Sequence, residues 1–129
     1  TCQKSINEFI NKCAFLTEFS IFQFGQFNFI TDESLIGIAN KCTFITLLHF
    51  ECMYIVDVSD KSIIEIANKC KFLTSLTICF DETNMTIDSF KEIANKCNSL
   101  KSLTIYNCKI LNIEKLFKNH HNLELDIHY

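Results

Sequence analysis

The sequence predicts an α/β solenoid: a right-handed horseshoe arc of repeated helix and strand units, with a parallel sheet on its concave side and helices on its convex side. Three observations carry that expectation. The pentapeptide Ile-Ala-Asn-Lys-Cys occurs at 38–42, 66–70 and 93–97, with a near copy at 9–13. An apolar stripe at helical spacing precedes each copy, and a short alternating apolar segment follows it. The landmarks Cys13, Cys42, Cys70, Cys97 and then His120 are separated by 29, 28, 27 and 23 residues. A period of about 20 to 30 residues belongs to stacked units that bury a continuous core between neighbours.

The helices come first in each unit. Apolar residues at i, i+3, i+4 and i+7 form the stripes Ile6, Phe9, Ile10, Cys13; Leu35, Ile38, Ala39, Cys42; Ile63, Ile66, Ala67, Cys70; and Phe90, Ile93, Ala94, Cys97. Each is one buried helix face. A fifth stripe, Ile113, Leu116, Phe117, His120, keeps the spacing but ends in a polar residue. Ser-x-x-Glu at Ser5 to Glu8, Ser62 to Glu65 and Ser89 to Glu92 reads as a capping box, in which each end satisfies an orphan amide of the other. Those glutamates stand four residues before Lys12, Lys69 and Lys96, an exposed pairing worth about 0.2 to 0.5 kcal/mol each. Gly37 replaces the Glu in the helix around Ile38, which makes that helix locally the weakest.

The strands follow the landmarks. Leu16, Phe19, Ile21; Ile45, Leu48, Phe50; Leu73, Leu76, Ile78; and Leu100, Leu103, Ile105 end in period-two alternation, and Leu123, Leu125, Ile127 repeat it with one residue lost before the strand. Such segments are short strands with one buried face.

Composition narrows the function classes. One domain, 1–129, is expected of a 129-residue chain that is 48% hydrophobic. It begins inside a repeat, so an upstream domain and capping units are expected beyond this stretch. The net charge of −3 supplies no general attraction for nucleic acid or an anionic membrane, and no run of about 18 apolar residues suggests a spanning helix. All twelve basic residues are Lys, so bidentate guanidinium recognition is excluded. Eight Cys recur with the repeat and never as Cys-x-x-Cys, which points to a ladder of buried reduced thiols and a reducing compartment, cytoplasmic or nuclear.

The stretch Ile30-Thr31-Asp32-Glu33-Ser34-Leu35, continued by Ile38-Ala39, Cys42, Ile45, Leu48 and Phe50, resembles the cysteine-containing leucine-rich repeat of F-box/LRR proteins. The likeness recurs from Val58-Ser59-Asp60 to Ile78 and covers the chain in about four and a half repeats. Ala14, Thr43, Lys71 and Asn98 stand where the family has Pro, and Asp88 is one residue off the register of Asp32 and Asp60. The resemblance implies a leucine-rich-repeat solenoid holding a substrate protein for a cullin-type ubiquitin ligase, with a Skp-type adaptor bound through an F-box elsewhere. A free-standing LRR scaffold, or a pathogen or surface interaction protein, is the alternative.

On such strands the residues flanking the core Leu face the concave side, in three columns. These are Glu18, Leu47, Ser75, Ser102, Glu124; then Ser20, His49, Thr77, Thr104, Asp126; then Phe22, Glu51, Cys79, Tyr106, His128. The columns hold hydroxyls, acids and aromatics without a Lys, which suits a protein partner with basic or hydrogen-bonding groups. Ser20, Phe22, His49, Glu51, Thr77, Cys79, Thr104, Tyr106 and Asp126 are the expected contacts. No cofactor is expected. Cys79, His49 and Glu51 include a thiol, a base and an acid, but diagonal neighbours lie about 7 to 8 Å apart and an open sheet offers no oxyanion donors. Ser20, His49 and Asp126 fall on strands too distant to converge as a triad. His120, His121, His128 and Cys108 match no zinc spacing. The four Phe between 22 and 29 are expected to pack under the neighbouring repeat, with an exposed aromatic lip for a partner as the alternative.

Overall fold

The computed structural model of the chain describes residues 14–23, 30–52, 58–80 and 85–129, together with Lys4, residues 8–10 and Lys12. Among these, five strands, β1 (Glu18–Gln23), β2 (Leu47–Cys52), β3 (Ser75–Phe80), β4 (Ser102–Tyr106) and β5 (Glu124–Ile127), form one parallel sheet in sequence order. Helices α1 (Asp32–Lys41), α2 (Asp60–Lys69) and α3 (Ile87–Lys96) connect the first four strands. A 3₁₀ helix, η1 (Ile113–Phe117), connects β4 to β5.

The register never slips. Phe19, Leu48, Leu76, Leu103 and Leu125 lie opposite one another across the sheet, as do Ile21, Phe50, Ile78, Ile105 and Ile127. Because strand side chains alternate faces, that register commits one whole face to the core. Leu48, Leu76, Leu103, Phe50, Ile78 and Ile105 are buried there with Leu35, Ile38, Ile63, Ile66, Phe90 and Ile93 from the helices. Each fully buried aliphatic side chain contributes about 1.5 to 3 kcal/mol by leaving water, much of it offset by lost conformational freedom.

The helix starts differ from the capping-box expectation. Thr31, Ser59 and Thr86 are the N-caps, and their hydroxyls accept from the backbone N–H groups of Ser34, Lys61 and Asp88. Ser62 and Ser89 lie inside the first turn and are fully buried. Ser5 lies outside the described residues. What Ser62 and Ser89 do is bind the preceding repeat. The Asp32 carboxylate accepts from the Ser59 N–H at 2.9 Å, from the Ser59 hydroxyl at 2.6 Å and from the Ser62 hydroxyl. Asp60 repeats the arrangement with the Thr86 N–H at 2.8 Å, the Thr86 hydroxyl at 2.5 Å and the Ser89 hydroxyl. At the corresponding place in α3 stands Ile87, because Asp88 is displaced by one. The chain of carboxylate clips therefore stops at the third helix.

Each of the three helices ends on a Cys at its C-cap. The N–H groups of Cys42, Cys70 and Cys97 still donate to Ile38, Ile66 and Ile93, while their backbones already leave the helical region. Their side chains are 1%, 1% and 3% exposed and form no disulfides. Burial, reinforced by neighbouring Cys97 and Cys42, pushes the Cys70 thiol up to about 12. Burial likewise pushes Cys97 up to about 11, against the pull of the Lys71 ammonium. The expected thiol ladder is present at these three positions.

The fifth unit departs from a full α-helix. Its interval from Cys97 to His120 is 23 residues, and η1 starts from Asn112 in the left-handed region (φ 65) without a side-chain cap. A 3₁₀ helix rises about 2.0 Å per residue, so fewer residues span the same layer. His120 donates its N–H to Phe117 and sets its ring edge-on to the Phe117 ring at 5.4 Å. No helix among the described residues is long and apolar enough to cross a membrane.

Candidate interaction surface

The sheet has one face against the helices and one against solvent, and the solvent face carries the expected columns in register. Glu18, Leu47, Ser75, Ser102 and Glu124 are aligned, and beside them Ser20, His49, Thr77, Thr104 and Asp126. Phe22, Glu51, Cys79 and Tyr106 form the third column, extended by His128, whose ring stacks on Tyr106 at 4.6 Å and 18°. Thr77, Thr104 and Tyr106 are half-buried, and Ser20 and Asp126 are exposed. The Phe22 side chain and residues 24–29 lie outside the described part, as does the aromatic cluster expected there.

Polar groups on this face meet two positions apart along the chain, once within β2 and once across the end of β5. His49 Nε2 lies 3.4 Å from Glu51 Oε2, and His128 Nε2 lies 3.1 Å from Asp126 Oδ2. Residues two apart on a strand share a face, so these pairs follow directly from the alternation. A His and a carboxylate side by side present both donor and acceptor atoms to whatever lies on the sheet.

Cys79 is the exception among the expected contacts. It keeps its column, beside Glu51 and Tyr106, but is only 7% exposed. Asn107, held in the left-handed region (φ 55), brings its amide to 3.9 Å from the Cys79 sulfur. The thiol is therefore a covered side chain and not an open contact.

One feature of the opposite rim has no counterpart among the expected site residues. Phe15, Phe44 and Phe72, each two residues after a landmark Cys, are 84%, 48% and 55% exposed. Their rings stack in sequence, with centroids 6.1 Å apart and planes 16° apart at both steps. The signal was available: one aromatic residue at the same offset in three successive repeats, adjacent to but outside the buried stripe. Thr17 and Thr46 complete an apolar groove of about 390 Å³ along this ladder.

No protein-family model matches the chain. No curated protein matches it either. Its fold is similar to the solved structure of leiomodin-1 actin-binding site 2 (ABS2), with a TM-score of 0.67 and 22% identity over 100% of this chain and 80% of that one. At that identity the likeness is one of fold.

Proposed function

We propose that the chain is a leucine-rich-repeat arc that holds a protein partner against the free face of its sheet, without catalysing a reaction. The observation that carries this reading is the unbroken register that lines up Ser20, His49, Thr77, Thr104 and Asp126 in one column. The column and its neighbours offer carboxylates, imidazoles and hydroxyls with no ammonium group, so a partner with basic and hydrogen-bonding groups is the complementary one. The leiomodin-1 region of similar fold is an actin-binding site, which supports protein binding as a use of this architecture. The buried, reduced ladder of Cys42, Cys70 and Cys97 supports a cytoplasmic or nuclear setting.

The finer reading is that these are the substrate-holding repeats of an F-box/LRR subunit. It rests on the resemblance of residues 30–50 and 58–78 to that repeat type, and a Skp-type adaptor would then be engaged by an F-box outside these 129 residues. The test is capture from native extract with the wild-type chain and with His49→Ala, Thr77→Ala and Tyr106→Ala combined. Loss of the captured protein by about tenfold with folding intact is expected of central contact residues. Equal loss from Lys69→Ala with Lys96→Ala, on the helix ends, overturns the assignment to the sheet face. Co-recovery of a Skp-type adaptor and a cullin with the full-length protein tests the ligase role.

A further inference from the structure

We propose that the rim where the helices end and the strands begin is a second docking surface, separate from the sheet face, that takes an extended acidic peptide bearing apolar side chains. Two features of the rim point the same way. The first is apolar. Phe15, Phe44 and Phe72 form an exposed stacked ladder, although Ile45 and Leu73 beside them already fill the core. The groove below is lined by these three rings with Thr17 and Thr46, and the Thr46 hydroxyl proton is committed to the Thr17 carbonyl. Aliphatic side chains fit such a groove.

The second feature is charge. Residues 9–17, 38–46, 66–74 and 93–101 contain no Asp or Glu, while Lys12, Lys41, Lys69, Lys71, Lys96 and Lys101 within them are all exposed. Half of the twelve lysines thus fall where helices end and strands begin; Glu8, Glu65 and Glu92 stand one turn before Lys12, Lys69 and Lys96, and Glu18 follows Thr17, so Lys41, Lys71 and Lys101 carry the unbalanced positive charge. The ion pairs among the described residues, His49–Glu51 and His128–Asp126, both lie elsewhere. The aromatic geometry reinforces the preference for an anion. Phe44 sits between Phe15 and Phe72, so the ladder presents ring edges, the positive end of the aromatic quadrupole, and spends its faces internally. Single-stranded nucleic acid needs open ring faces for its bases, which this ladder does not offer along its length. A second copy of the chain docked rim to rim would oppose Lys to Lys.

The test uses fluorescence anisotropy of the chain with three labelled probes: a peptide of alternating Glu and Leu, its Lys and Leu counterpart, and an oligothymidylate. The Glu/Leu peptide is expected to bind, more weakly in added salt, with Phe44→Ser lowering its affinity by about tenfold. Lys69→Glu combined with Lys71→Glu should have the same effect while leaving capture of the sheet-face partner unchanged. Should Phe44→Ser unfold the chain by circular dichroism, the charge reversal at exposed positions carries the test alone. Equal binding of the Lys/Leu peptide, tighter binding of the oligothymidylate, a Phe44-dependent dimer in sedimentation without peptide binding, or no binding of any probe would each overturn the proposal.

Discussion

The carboxylate of Asp32, at the start of one helix, accepts the hydroxyl of Ser59, the N-cap of the next, at 2.6 Å. It also accepts the Ser59 N–H and the buried Ser62 hydroxyl, so a single side chain satisfies three donors of the following repeat. Asp60 does the same for Thr86 and Ser89. These clips are charge-bearing polar links between units also joined by backbone ladders, apolar packing and the Thr46 and Thr74 hydroxyls.

Removing a clip leaves the buried Ser62 or Ser89 hydroxyl without its acceptor. Asp32→Ala and Asp60→Ala are each expected to lower stability by about 1 to 3 kcal/mol in urea unfolding. Asp88→Ala, at an exposed residue displaced from the clip position, is expected to change it by less than about 0.5 kcal/mol. A cost at Asp88 equal to that at Asp32 would contradict the assignment of the clip.

The clips also set an acid limit. Burial alone would push the Asp32 carboxyl up, but hydrogen bonds from the Ser59 and Ser62 hydroxyls and the Ser59 N–H outweigh it and hold the group below its ordinary 3.8. Asp60 is lowered in the same way, burial being outweighed by the Ser89 and Thr86 hydroxyls and their N–H groups. A carboxyl depressed in the folded state contributes stability that is complete above its unfolded pKa, about 3.9, and is lost as pH falls through the lower folded value. Unfolding free energy should therefore decline below about pH 4, and Asp32→Asn with Asp60→Asn should flatten that decline in denaturant titrations against pH.

The thiol ladder predicts slow chemistry. With Cys70 near 12 and Cys97 near 11, almost no thiolate is present at neutral pH, and burial blocks access as well. Cys42, Cys70 and Cys97 should label slowly with a thiol reagent in native protein and rapidly in urea. Rapid native labelling of all three would sink the packing of the pentapeptide.

Gly37 is an opportunity for stabilisation. It lies inside α1 without a positive φ, and among the described residues a Cβ placed there would meet Ile10 Cγ2, at the ordinary contact distance of 3.8 Å. Gly37→Ala is expected to raise stability by about 0.5 to 1 kcal/mol, read as a higher urea midpoint at unchanged m-value. A loss of stability would mean that Ile10 cannot accommodate even a methyl group.

Much of this was legible from residue spacing. The Ile, Ala and Cys of the pentapeptide repeat with helical period, and Leu48-x-Phe50 and its equivalents repeat with period two, so both buried faces follow from the chain itself. The same alternation placed Ser20, His49, Thr77, Thr104 and Asp126 in one column. Ser62 and Ser89 depart from the capping-box expectation because their local signature, Ser followed three residues later by Glu, is identical for an N-cap and for a first-turn residue. Their acceptors, Asp32 and Asp60, lie 30 and 29 residues upstream, beyond any local pattern.

The sequence by itself determined the period, the parallel α/β architecture and the face to which each strand residue belongs, because these depend on backbone geometry that every residue shares. Tertiary structure alone decided accessibility and partnership. Alternation puts Cys79 on the open face, yet its side chain is buried, with the Asn107 amide of the following unit donating to its sulfur. Phe15, Phe44 and Phe72 are among the most apolar residues of their repeats, yet they stand in solvent, since Ile45 and Leu73 next to them already occupy the core. Which side chain is covered, and by what, is fixed by contacts between neighbouring repeats, and those contacts exist only once the units are stacked.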